Sequence, residues 1–149
     1  EFLRARFAAT GKRVDDAVLD PMLELTHGHP YATQELAYFV WEQAGSRKRV
    51  TETDLRLALD NLLRSEHAHF SLLWEESSRD QRLLLLALAD APGRPYSADF
   101  AARHSLPAAT NVQKALTALT RRELVAKQPD GEQAIVEPFL ADWLRRTQR

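Results

Sequence analysis

Apolar residues recur at helical spacing along most of the chain. Residues 1–10 read as a short helix that stops at Gly11, a residue suited to a helix C-terminus. Asp15 or Asp16 is placed to cap a second helix carrying Val18, Leu19, Met22, Leu23 and Leu25. Pro21 lies inside that helix, which either restarts with Asp20 as its cap or kinks there. Thr26-His27-Gly28-His29-Pro30 is a break, and Pro30 suits the first position of a helix running to about Ala44 with Ala32, Leu36, Phe39 and Val40 on one side. Gly45-Ser46 and Arg47-Lys48-Arg49 read as a loop. Thr51 caps a helix bearing Leu55, Ala58, Leu59, Leu62 and Leu63, and a separate helical stretch is expected over 69–75.

Beyond this point the pattern changes. Ser78-Arg79-Asp80-Gln81 has the form of a capping box and opens a Leu-rich helix through Leu83–Ala89. After the loop Ala91-Pro92-Gly93-Arg94-Pro95, Ser97 caps a short helix over 98–104. Leu106-Pro107 turns into a longer helix ending near Arg122. Residues 124–128 and 132–136 read as two strands joined at Pro129-Asp130-Gly131, and Pro138 opens a last helix with Phe139, Leu140, Trp143 and Leu144. Three helices followed by a hairpin is the winged-helix order, with 98–104 and 107–122 as the helix-turn-helix pair. The expected architecture is mostly α, with a helical bundle over 1–76 and a winged-helix domain over 77–149. No internal repeat and no low-complexity tract is apparent.

Composition narrows the function classes. The 149 residues are 44% hydrophobic and 28% charged, as in ordinary globular proteins. Cysteine is absent, which excludes disulfides, thiol catalysis and cysteine-bound zinc. No apolar run approaches the roughly 20 residues of a membrane span. Residue 1 is Glu and no signal peptide is visible, so the chain is expected to be a piece of a cytoplasmic protein. With 20 basic and 21 acidic residues the net charge is −1, and neither half is a basic arm, which argues against a strongly electrostatic nucleic-acid binder.

Several stretches together resemble the C-terminal part of AAA+/STAND-type ATPases, in the archaeal-type group related to origin-recognition initiators. In the first half they are Leu25-Thr26-His27-Gly28-His29-Pro30-Tyr31 with Gln34-Glu35-Leu36, then Val50-Thr51-Glu52-Thr53-Asp54-Leu55. In the second they are Asp80–Ala89, Val112–Leu119 and Phe139–Leu144. The resemblance implies a helical lid followed by a winged helix, both regulatory to a nucleotide-binding core that would be the chain's N-terminal partner. It implies ATP or ADP with magnesium for the whole protein, and none of these for this chain alone. It also implies that Gly28, His29 and Pro30 form the lid's nucleotide sensor, whereas on chemistry alone Gly-His-Pro is a helix break. A phosphate loop needs a Gly five residues before its Gly-Lys pair and a Ser or Thr after it. Gly11-Lys12 is the one Gly-Lys pair, Arg13 follows it, and the upstream Gly is absent. The chain by itself is therefore expected not to be an enzyme.

The helix after Pro107 is the candidate nucleic-acid reader. With Val112, Leu116 and Leu119 inward, the opposite side holds Thr110, Lys114, Thr117 and Arg121, and Lys127 on the wing is within reach of a phosphate. Two charges and two hydroxyls suit a weak DNA contact or a protein contact. A free-standing winged-helix transcription regulator, its helical half dimerising or sensing a ligand, is the alternative. His27/His29 and His67/His69 lack a third ligand and read as solvated or capping side chains, not as a metal site. Arg47-Lys48-Arg49 reads as a solvated loop, and the three Trp residues as core.

Overall fold

A computed structural model describes all 149 residues. Its backbone forms two compact units, Glu1–His67 and Ala68–Arg149. The sequence pattern placed a boundary after residue 76. The units divide instead inside a helix that runs unbroken from Glu52 to Glu75, so no separate stretch begins near residue 69.

The first unit contains α1 (Phe2–Ala8), β1 (Arg13–Val14), α2 (Asp16–Thr26), α3 (Pro30–Ala44), β2 (Arg49–Val50) and the first part of α4 (Glu52–Glu75). Its core is Leu3, Phe7, Val18, Met22, Leu36, Val40, Leu59 and Leu62 with their neighbours. α2 passes through Pro21 without restarting. The cost is one missing amide donor within the helix. Asp15 stands at the N-cap but its side chain makes no cap bond; its carboxylate takes Arg49 at 2.8 Å.

The basic loop expected at 47–49 is partly a strand. β1 and β2 pair in parallel, Arg13 opposite Arg49 and Val14 opposite Val50, with both valines buried. Parallel strands need a long crossover, and here α2 and α3 provide it. Lys12, only 7% exposed, locks the junction by donating from Nζ to the Gly45 carbonyl and, at 2.8 Å, to the Arg47 carbonyl. Single valines among charged residues give no strand periodicity, so the ribbon is invisible to a local reading.

Thr51 caps α4 as expected. Its hydroxyl accepts from the Asp54 amide at 3.3 Å, and the Asp54 carboxylate accepts from the Thr51 amide at 2.8 Å. Asp54 also receives both Nη atoms of Arg47. Burial pushes the Asp54 carboxyl up, but the Arg47 bond and the Thr51 amide and hydroxyl outweigh it and hold it below the ordinary carboxylate value.

The second unit holds the end of α4, then α5 (Arg79–Asp90), α6 (Ala98–Arg103), α7 (Ala109–Arg121), β3 (Val125–Lys127), β4 (Gln133–Ile135) and α8 (Pro138–Thr147). α5 packs against both α7 and α8 through Leu84, Leu85, Leu88, Leu116, Leu119, Leu140, Trp143 and Leu144. Ser78 caps α5 through Gln81 and Ser97 caps α6 through Phe100. β3 and β4 are antiparallel, with Ala126 opposite Ala134. A third backbone segment joins them at Gly93, which exchanges amide bonds with Gln133 at 3.0 and 2.7 Å. A Cβ at Gly93 would lie 2.2 Å from the Phe100 ring, so only glycine brings the backbone this close. Mostly helical, with a small hairpin behind a helix-turn-helix pair, this is the winged-helix arrangement. No helix is long and apolar enough to cross a membrane.

Asp54→Ala removes a cap and a partner of Arg47 and is expected to lower stability by about 2 kcal/mol at neutral pH. Because the folded carboxyl is depressed, its contribution is present above the unfolded value, near 4, and is lost as pH falls through the lower folded value. Urea unfolding at pH 7 and pH 3 checks this: the gap between wild type and variant should shrink in acid, and a constant gap contradicts the assignment.

Candidate functional site

The Gly-His-Pro segment is a tight helix–helix junction. His27 and Gly28 both take positive φ, 51° and 69°, closing α2 with the Gly28 amide on the Leu23 carbonyl at 3.1 Å. His29 is the N-cap of α3, its Nδ1 accepting from the Ala32 amide at 3.4 Å, and Pro30 takes the first helical position. Buried beneath the junction, the Thr26 hydroxyl bonds the Met22 carbonyl at 2.9 Å and the Thr33 hydroxyl at 2.8 Å. Gly28, His29 and Pro30 are all exposed. Gly28 and Pro30 line a groove of about 320 Å³, which His29 does not. Its charged walls are Glu1, Asp16 and Asp20 against Arg4, and Arg4 is ion-paired with Asp16. Such walls suit the uncharged end of a ligand better than its phosphates.

Beside α3 the structure departs from the sequence reading of the tryptophans. Trp143 is buried, but Trp41 is 38% exposed. It stacks near Tyr38, with ring centroids 6.4 Å apart, and donates from its indole nitrogen to Thr10 at 3.0 Å. With Phe2, Phe7 and Arg6 these rings line a hollow of about 190 Å³. The Tyr38 hydroxyl donates to Glu42 at 3.2 Å, and that bond, then the carboxylate's charge, raises the phenol's pKa. Tyr31, Tyr38 and Trp41, seven and three residues apart, follow one helix face, but apolar spacing alone does not say which face is covered.

In the second unit, α7 turns Val112, Ala115, Leu116 and Leu119 inward and leaves Thr110, Lys114, Thr117 and Arg121 exposed. At 100° per residue those four fall within a sector of about 60°. Lys127 is exposed on β3. None of the three cations is engaged by a carboxylate. Arg122, the next residue along, is different: it donates to the Ser77 and Gln81 side chains at 2.8 and 2.9 Å and to the Leu73 carbonyl at 2.9 Å, tying the end of α7 to the α4–α5 turn. The wing is held by the Gln128 amide on the Glu132 carbonyl at 2.7 Å and by Arg94 on the Asp130 carbonyl at 2.6 Å. Arg94 thus joins Lys127 at the wing, a placement that a separation of 36 residues hides from the sequence.

The fold has counterparts among known proteins. No curated protein matches the chain. Among solved structures, a Walker-type ATPase of Pyrococcus abyssi is similar in fold, with a TM-score of 0.68 at 17% identity. The match covers 97% of this chain but only 40% of that one. Residues 68–146 match the family described as "Probable winged helix domain". That stretch holds the helix-turn-helix pair, the hairpin and most of the closing helix, and the chain belongs to this winged-helix family.

Proposed function

We propose that the chain is the lid and winged-helix portion of a nucleotide-switch ATPase of the AAA+/STAND kind. The helical unit closes over ATP or ADP held with magnesium by a separate nucleotide-binding core. The winged helix passes that motion to DNA or to a protein partner. The observation that carries this reading is the extent of the likeness in fold. A winged helix alone hosts many functions, but here 97% of the chain, helical unit included, has its counterpart in a Walker-type ATPase.

The residues support a division of labour. On this reading the phosphate-binding part lies elsewhere, in keeping with Lys12 being committed to backbone carbonyls and with no Ser or Thr following it. On this reading the chain alone does not hydrolyse ATP. Gly28 and Pro30 meet the base or sugar, in keeping with the carboxylates beside them, and His29 holds the start of α3. The outward row of α7 and the wing meet the partner, with Lys114, Arg121 and Lys127 on phosphates and Thr110 and Thr117 adding hydroxyl contacts. Three cations give little base discrimination.

Calorimetry on the chain alone is expected to show no micromolar ATP affinity and no turnover; tight binding or hydrolysis would overturn the proposal. In the longer protein, Pro30→Ala is expected to weaken nucleotide binding about fivefold while costing under about 1 kcal/mol of stability, because a first-position proline has no amide to lose. Unchanged affinity removes Pro30 from the site. For the winged helix, Lys114→Ala/Arg121→Ala is expected to lower the log–log salt slope of duplex-DNA binding by about 2. If that slope does not move, the face is a protein contact.

A further inference from the structure

The ribbon β1–β2 is built from the same tripeptide twice. Lys12-Arg13-Val14 and Lys48-Arg49-Val50 lie 36 positions apart, each ends one residue before a helix cap, and they pair in register. The valines face the core. The arginines therefore stand side by side on the outer face, an arrangement of like charges that weakens strand pairing.

The charge is concentrated as well as paired. The first unit holds nine basic and eleven acidic residues, yet six of the nine are Arg4, Lys12, Arg13, Arg47, Lys48 and Arg49. Two of these have structural duties: Lys12 is buried on carbonyls and Arg47 serves Asp54. Arg4, Arg13, Lys48 and Arg49 line a groove of about 750 Å³ along the ribbon, with Lys12 at its floor. Asp15 and Asp16 also line it, paired with Arg49 and Arg4. Those are exposed surface pairs, with the Arg49 side chain 72% accessible, and such pairs are weak enough to yield to another anion. Arg13 and Lys48 have no carboxylate partner.

We propose that this Lys-Arg-Val ribbon is a contact surface for the phosphodiester backbone of duplex DNA, separate from the winged helix. Arg13 and Lys48 supply the free charges, and Arg49 and Arg4 turn from Asp15 and Asp16 to phosphate as the strand approaches. The groove gives no large exposed apolar side chain to seat in a lipid layer, since Val14 is buried and the other uncharged lining residues are Ala8 and Gly11. Cations on a narrow ribbon, without an apolar anchor, match a hydrated polyanion. The ribbon reads no sequence, because phosphates carry none.

The test is fluorescence anisotropy of the full chain with a random-sequence duplex of about 20 base pairs across a salt series. Arg13→Gln/Lys48→Gln is expected to lower the log–log salt slope by about 2 and to weaken binding at least tenfold near 50 mM salt. Both side chains are exposed and the Arg13 amide keeps its 2.7 Å bond to the Lys48 carbonyl, so the melting temperature should not change. Arg13→Lys/Lys48→Arg should bind as wild type does. Removing the same charge from α4 with Arg56→Gln/Arg64→Gln should leave the slope nearly intact. The loss should add to that of Lys114→Ala/Arg121→Ala, which reports the winged helix independently. An unchanged slope in the ribbon variant overturns the proposal. So does an equal loss in the α4 control, or a ribbon variant that loses binding to phosphatidylserine vesicles while keeping its affinity for DNA.

Discussion

The first unit depends on a buried ammonium. Lys12 leaves water to hold the carbonyls of Gly45 and Arg47, and no carboxylate comes with it. A buried charge is costly unless its donors are met, and these two carbonyls belong to a turn more than thirty residues away. Where that turn goes, β2 follows, so this side chain, with the Arg13 amide on the Lys48 carbonyl and the two buried valines, holds Arg13 opposite Arg49 and Val14 opposite Val50. The helix pair α2–α3 is then closed at both ends, and the Gly28–Pro30 junction is carried at the far end of that closed loop.

In the second unit the corresponding tie is Arg122. Its donors engage a hydroxyl, an amide oxygen and a main-chain carbonyl, all around the turn between α4 and α5. No buried polar side-chain atom is left without a partner anywhere in the chain. The exposed row on α7 can therefore vary in chemistry without disturbing what holds α7 in place. The fixed cation, Arg122, sits one residue from an exposed one, Arg121, so the tie that holds α7 does not draw on its outward row.

Long periodic segments were readable from the chain. The helices from Pro30, Ser78 and Pro138, the caps at Thr51, Ser78 and Ser97, and the hairpin around Gly131 follow from local chemistry. Helix faces on α7 were readable too, because its apolar stripe is narrow and regular. What escaped was non-local. Two-residue strands have no period, the Gly93 bridge is a single residue, and Arg94 meets Asp130 only through the fold. Trp41 escaped for another reason: a helix with large apolar side chains on more than one face does not announce which will be covered. The doubled Lys-Arg-Val was in plain view, but a tripeptide is too short to mark a repeat until two strands bring its copies together.

The ion pair between Arg4 and Asp16 forms a wall common to two grooves, one along the ribbon and one beside Gly28 and Pro30. An anion that draws the guanidinium toward the ribbon leaves the Asp16 carboxylate uncompensated on the other side. A ligand seated beside Pro30 then meets a more negative wall, and by reciprocity its own presence changes the affinity of the ribbon by the same factor. Two grooves that share one ion pair couple whatever binds in them, without any movement of the backbone. The sign of that linkage depends on the charge of whatever occupies the second groove: antagonism for an anion, cooperation for a cation.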